Sequence, residues 1–145
     1  MNLRCRILSA VLLVLAPLVS RAEESDAQVA ARNVALELAG AFSNDGFKLR
    51  DGHWSGPIKQ GDQAIIAVNL YAGNEYWFSV GANEGTKKIA VQVYDENGKP
   101  VTTEEYAEDD KAAAGYSPTI SGQYFVGITP VESTASAFSL VYSYK

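Results

Sequence analysis

Cysteine is nearly absent from this sequence: the chain of 145 residues has one, Cys5. An internal disulfide is therefore excluded, and packing alone must stabilise whatever folds. Histidine is equally scarce, with His53 standing alone. A zinc or redox-metal site built from paired His and Cys ligands is excluded with it. Positive charge is also thin. Arg4, Arg6 and Arg21 fall in the first 22 residues, leaving 9 of the 12 basic residues against all 17 acidic ones, a net charge of −8 over residues 23–145. Nucleic acid and anionic membrane surfaces both require a basic patch, so neither is expected as a partner. No segment after Ala22 is long and apolar enough to span a bilayer.

The one sustained apolar run lies at the start. Ile7 to Val19 follows Arg4 and Arg6 and precedes Ser20-Arg21-Ala22, which puts small residues at the −3 and −1 positions of a cleavage site. A basic start, a short apolar stretch and a small-residue end are the three parts of a secretory signal. The run falls short of the roughly 20 residues a spanning helix needs, and Pro17 interrupts it. Cys5 precedes the run, whereas a lipid-modified cysteine would follow it. Residues 1–22 are expected to be removed after Ala22. The mature protein would be periplasmic or secreted, free of cysteine and not membrane-bound.

Residues 23–45 read as a helix and its terminating turn. Ser25 and Gln28 fit a capping box, and Asp26 suits the first turn. Ala31, Val34, Ala35, Leu38 and Phe42 recur at three- and four-residue spacing, forming one apolar stripe, and Asn44-Asp45-Gly46 ends it. That stripe would pack on the rest of the chain or dock another protein. From residue 46 to 145 the period is two. Ile66, Val68 and Leu70 form one set, followed by Tyr76, Phe78 and Val80, then Ile89, Val91 and Val93. Tyr124, Val126 and Ile128 follow, and then Phe138, Leu140, Tyr142 and Tyr144. Each set marks a strand with one face in a core. Weaker strands are expected within 48–57, 99–106 and 111–117. About eight strands with no crossover helix between them require an antiparallel arrangement. The expected fold is all-β: a jelly-roll-like β-sandwich preceded by one N-terminal α-helix.

Three stretches carry a family resemblance. Leu70-Tyr71-Ala72-Gly73-Asn74-Glu75-Tyr76-Trp77-Phe78 is similar to the "L-x-A-G-x-x-Y-x-F" hairpin of bacterial pre-peptidase C-terminal domains. Val93-Tyr94-Asp95-Glu96-Asn97-Gly98 resembles their "v-y-D-x-n-G" hairpin. Tyr116 with Ser121-Gly122-Gln123-Tyr124-Phe125-Val126 resembles their closing strand. The resemblance spans roughly residues 54–129 and implies a secreted, non-catalytic sandwich that assists a hydrolase or binds matrix or polysaccharide. This chain departs from the pattern in having no catalytic domain and in carrying an N-terminal helix.

No catalytic constellation emerges from the residues. Gly52-His53-Trp54-Ser55-Gly56 has the spacing G-x-x-S-G, not the G-x-S-x-G of a nucleophile elbow. Glu104, Glu105, Glu108, Asp109 and Asp110 offer the oxygen donors calcium takes, in what reads as a solvated acidic loop. Asp95-Glu96-Asn97-Gly98 is explained by a turn. If the aliphatic phase of each strand faces inward, Tyr71, Trp77, Tyr94 and Phe125 face outward, where flat rings can stack on sugars or on protein surfaces. The expectation is a non-enzymatic, cofactor-free binding module for a protein or a neutral polysaccharide. The alternative is an accessory protein that docks another exported protein through the helix at 25–42.

Overall fold

The computed structural model describes residues 23–145, and the expected export signal at 1–22 lies outside the described residues. Among the described residues there is one α-helix, α1 (Asp26–Phe42), which begins at the expected capping box. The Ser25 hydroxyl accepts from the Gln28 N–H, and the Gln28 carboxamide oxygen accepts from the Ser25 N–H. A 3-10 turn at Ser43–Asp45 ends the helix, and Gly46 takes up a left-handed φ of 86° that a side chain would resist.

Nine strands follow. They are β1 (Lys48–Leu49), β2 (Trp54–Pro57), β3 (Ala64–Leu70), β4 (Tyr76–Ala82), β5 (Thr86–Tyr94), β6 (Glu104–Glu108), β7 (Lys111–Tyr116), β8 (Gly122–Ser133) and β9 (Ala137–Tyr144). They form an antiparallel sandwich of two sheets. The larger runs β1-β9-β4-β7-β6, with β2 also on β9, and the smaller runs β3-β8-β5. The expected strand at 48–57 is split, because Gly52 turns the chain at a φ of 96° between β1 and β2.

The inward faces meet in one core. Phe78 and Val80 of β4 and Leu140 of β9 pack against Leu70, Val93, Val126 and Ile128 of the smaller sheet, all fully buried. Alternation sends Trp77, Ser79 and Gly81 of β4 to the other face of the large sheet, as it does Ser139, Val141 and Ser143 of β9. There α1 covers them. Ala35 and Ala39 pack on Val141, and a Cβ on Gly81 would stand 2.5 Å from the Ala35 nitrogen and nearer still to the Ala31 carbonyl oxygen. The apolar stripe of the helix is thus committed to its own sheet, with alanines facing serines and a glycine so that the backbones approach closely.

Two expectations are corrected here. Residues 104–111 are not a loop. They form β6, the Asp109-Asp110 turn and the start of β7, with Asp109 at a φ of 47°. Every residue of β6 is exposed, and it pairs on one side alone. It therefore shows none of the alternation that reveals a strand with a buried face. The Leu70–Phe78 stretch is likewise no hairpin. β3 pairs with β8 while β4 pairs with β7 and β9, so the Gly73 turn carries the chain from one sheet to the other. The Asp95–Gly98 stretch does close a hairpin-like turn: the Asp95 carboxylate accepts from the Asn97 and Lys99 N–H groups, and Tyr94 bridges to Pro100.

Candidate functional site

His53 precedes β2 beside the N-terminal end of α1. Its Nε2 lies 3.1 Å from one Glu24 carboxylate oxygen, and the other oxygen pairs with the Arg32 guanidinium. Partial burial pushes the Glu24 carboxyl up, but the Ser55 hydroxyl, the Arg32 charge and His53 outweigh it and hold the group below the usual carboxylate range. Ser55 donates to the Ser139 hydroxyl at 2.9 Å. His53 and Ser55 both bear on the Glu24 carboxylate, and among the described residues no hydrogen bond joins the two to each other as a serine–histidine pair would require. The cluster ties the start of the helix to β2.

The five acidic residues at 104–110 are spread by the strand. Glu104 and Glu108 share one face of β6, Glu105 takes the opposite one, and Asp109 and Asp110 make the turn. Among the described residues, no group of three or more His, Cys, Asp or Glu is placed to hold a metal ion.

The four aromatic candidates do not share one face. Trp77 belongs to the large sheet, under the C-terminal end of α1. Phe42 stacks on it at 4.3 Å between centroids with 9° between planes, and its six-membered ring stands over Gly115 of the neighbouring strand. Trp77 is half-buried: Phe42 covers it from the helix, and the rest of the ring borders an open groove. Tyr71 lies in the turn after β3, exposed, and its N–H donates to the Tyr76 hydroxyl at 2.9 Å.

Tyr94 and Phe125 do come together. They are register partners on β5 and β8, and Ala67 of β3 completes the same cross-strand row. The next row holds Ile65, Gly127 and Gln92. Gly127 makes the surface flat, because a Cβ there would meet the Tyr94 ring at 2.8 Å and the Gln63 side chain at 2.6 Å. The Tyr94 ring therefore lies across the glycine, and the Gln63 side-chain amide donates to its hydroxyl at 3.0 Å. A shallow depression of about 230 Å³ is lined by Gln63, Ile65, Tyr94, Gly98 and Phe125. The helix packs on the large sheet and leaves this outer face bare, with Ile65 51% exposed. Around the aromatic pair stand Asn69, Gln123 and Thr129, and neither β3 nor β8 as far as Val131 contains a charged residue. The charges of this sheet, Lys87 and Lys88 on β5 and Glu132 on β8, gather at its far end.

A larger cavity, about 760 Å³ and open to solvent, lies beside Trp77 on the other sheet. Phe42, Phe47, Trp77 and Tyr116 form its walls, with Asp45, Glu75, Glu104 and Lys145 on its rim. Burial, together with the neighbouring Tyr124 hydroxyl and the Asp95 charge, pushes the Tyr116 phenol up to about 12. Sequence reasoning missed this groove because five separated segments build it. It also missed the role of Gly127, although a glycine amid the large residues of a strand signals a close approach.

No protein-family model matches this chain, and no curated protein matches it in sequence.

Proposed function

We propose that this chain is an exported, non-catalytic binding module that holds a neutral polysaccharide on the outer face of the smaller sheet. The observation that carries this reading is the uncharged stretch of that face around Tyr94 and Phe125, from which the charges of Lys87, Lys88 and Glu132 stand apart at the far end of β5 and β8. In a chain with a net charge of −8 over residues 23–145, it presents rings, an aliphatic residue and side-chain amides where the rest of the surface is acidic. Sugar rings pair an apolar face with uncharged hydroxyls. Tyr94 and Phe125 supply stacking surface, and Gln63, Asn69 and Gln123 supply donors and acceptors at no Coulombic cost. A long, repetitive ligand suits a flat face better than it suits an enclosed cavity. The resemblance to pre-peptidase C-terminal domains is in keeping with such a role. The docking-helix alternative gains nothing from the fold, since α1 spends its apolar stripe on its own sheet.

Affinity electrophoresis through gels of neutral glycans, with the variants Tyr94→Ala and Phe125→Ala, tests the reading. Stacking contributes on the order of 1 kcal/mol per ring, so each variant should bind about fivefold more weakly. Both should migrate normally in glycan-free gels. Unchanged retardation of both variants, or retardation by acidic glycans alone, would overturn the proposal.

Export is the second half of the proposal and rests on the layout of residues 1–22. Intact mass of protein collected outside the cytoplasm should correspond to a chain beginning at Glu23. A mass that includes residues 1–22 would contradict it.

A further inference from the structure

The groove beside Trp77 differs from the bare sheet face in shape and in charge. Its volume, about 760 Å³, falls within the range of roughly 300–1,000 Å³ that small-ligand sites occupy. Its walls are aromatic, yet its rim carries three carboxylates, those of Asp45, Glu75 and Glu104, and one cation, Lys145. The Lys145 ammonium lies 4.5 Å from the centre of the Phe47 ring and 3.1 Å from a Glu75 carboxylate oxygen, and it donates to the Asp45 carbonyl oxygen at 3.3 Å. One corner of the groove therefore already receives a primary ammonium from the chain itself. An aromatic face and a carboxylate are the two groups such a cation seeks. The Asp45 and Glu104 carboxylates are left without a basic partner among the described residues.

We infer that this groove is a second binding site, which takes a lysine side chain of a partner protein. The alkyl stem of the incoming lysine lies along the aromatic wall, and its ammonium meets an unpaired carboxylate of the rim. Lys145 shows the same recognition in miniature and competes with the ligand for the Phe47 corner. The site is independent of the polysaccharide reading, because it stands on the opposite sheet and uses none of the same residues.

The probe is a short glycine-spaced lysine peptide, compared with its twin acetylated at every Nε and with an arginine twin, titrated against the protein by calorimetry. The lysine peptide is expected to bind, and acetylation is expected to weaken it at least tenfold. Asp45→Asn combined with Glu104→Gln should weaken it about tenfold, while Lys145→Gln should strengthen it severalfold by vacating the corner. Glu96→Gln removes an exposed carboxylate from a turn that does not line the groove and should leave binding unchanged. Tyr94→Ala, which bears on glycan binding, should also leave it unchanged. An equal loss on Glu96→Gln would show diffuse attraction to an acidic surface and overturn the site. So would tighter binding of the arginine twin, indifference to acetylation, or the absence of any binding by the Lys145→Gln protein.

Discussion

Gly81→Ala should lower the unfolding free energy by about 3 kcal/mol, the upper part of the range for forcing extra volume into a packed interface. The added methyl would land 2.5 Å from the Ala35 nitrogen and closer still to the Ala31 carbonyl oxygen. Both are backbone atoms of α1, so no side chain can rotate out of the way. The helix must lift along its whole length, and the contacts of Ala35 and Ala39 with Val141 loosen with it. Gly40→Ala provides the contrast within the same helix. A Cβ there meets nothing within 4 Å, so the change should stabilise by about 0.5–1 kcal/mol through helix propensity alone. Urea unfolding of both variants measures the pair. Equal midpoints for Gly81→Ala and the parent would show that the helix does not rest on β4.

Trp77→Ala should cost about 3 kcal/mol, the low end of the range for truncating a packed large aromatic. The ring fills the space between Phe42 and Gly115, so its loss leaves Phe42 without its stacking partner and opens a void under the last turn of α1. Trp77→Phe keeps an aromatic plane there and should recover more than half of the loss. A cost below about 1 kcal/mol, the size expected for an exposed residue, would return Trp77 to the list of surface platforms. Glycan retardation of the Trp77→Ala protein should match the parent wherever it remains folded.

These two residues show how far the sequence could be read. Alternation in Tyr76–Val80 placed Trp77 correctly on the phase opposite to the core residues Phe78 and Val80. The same reading placed Tyr94 and Phe125 opposite Val93 and Val126. A period of two identifies the face of a strand, but it does not say to which of two sheets the strand belongs or what lies on top. Trp77 consequently went under the helix while Tyr94 and Phe125 stayed bare. The helix itself was legible because Ser25, Gln28 and the Ala31–Phe42 stripe are local signals. Strand β6 was legible only in part: the sequence predicts a weaker strand within 99–106 and the observed one runs Glu104–Glu108, because an edge strand exposed on both faces gives charged residues no reason to alternate with apolar ones. The Phe47–Lys145 contact was beyond reach, as nothing near either residue anticipates a partner roughly a hundred positions away.

Strand β9 has a temporal meaning as well as a spatial one. It lies inside the large sheet, pairing with β1 and β2 on one side and β4 on the other, and α1 packs across it. Every element it joins is made earlier in synthesis, and the first of them precedes it by about a hundred residues. Until Ala137–Tyr144 emerges, the helix has half a floor, β1 and β2 have no ladder to join, and β4 has one neighbour instead of two. Closing such distant pairings imposes a large loop-entropy barrier before any contact rewards it, which makes folding slow and late. The large sheet thus stays incomplete until Ala137–Tyr144 is available, whereas the smaller sheet, β3-β8-β5, takes no pairing from it.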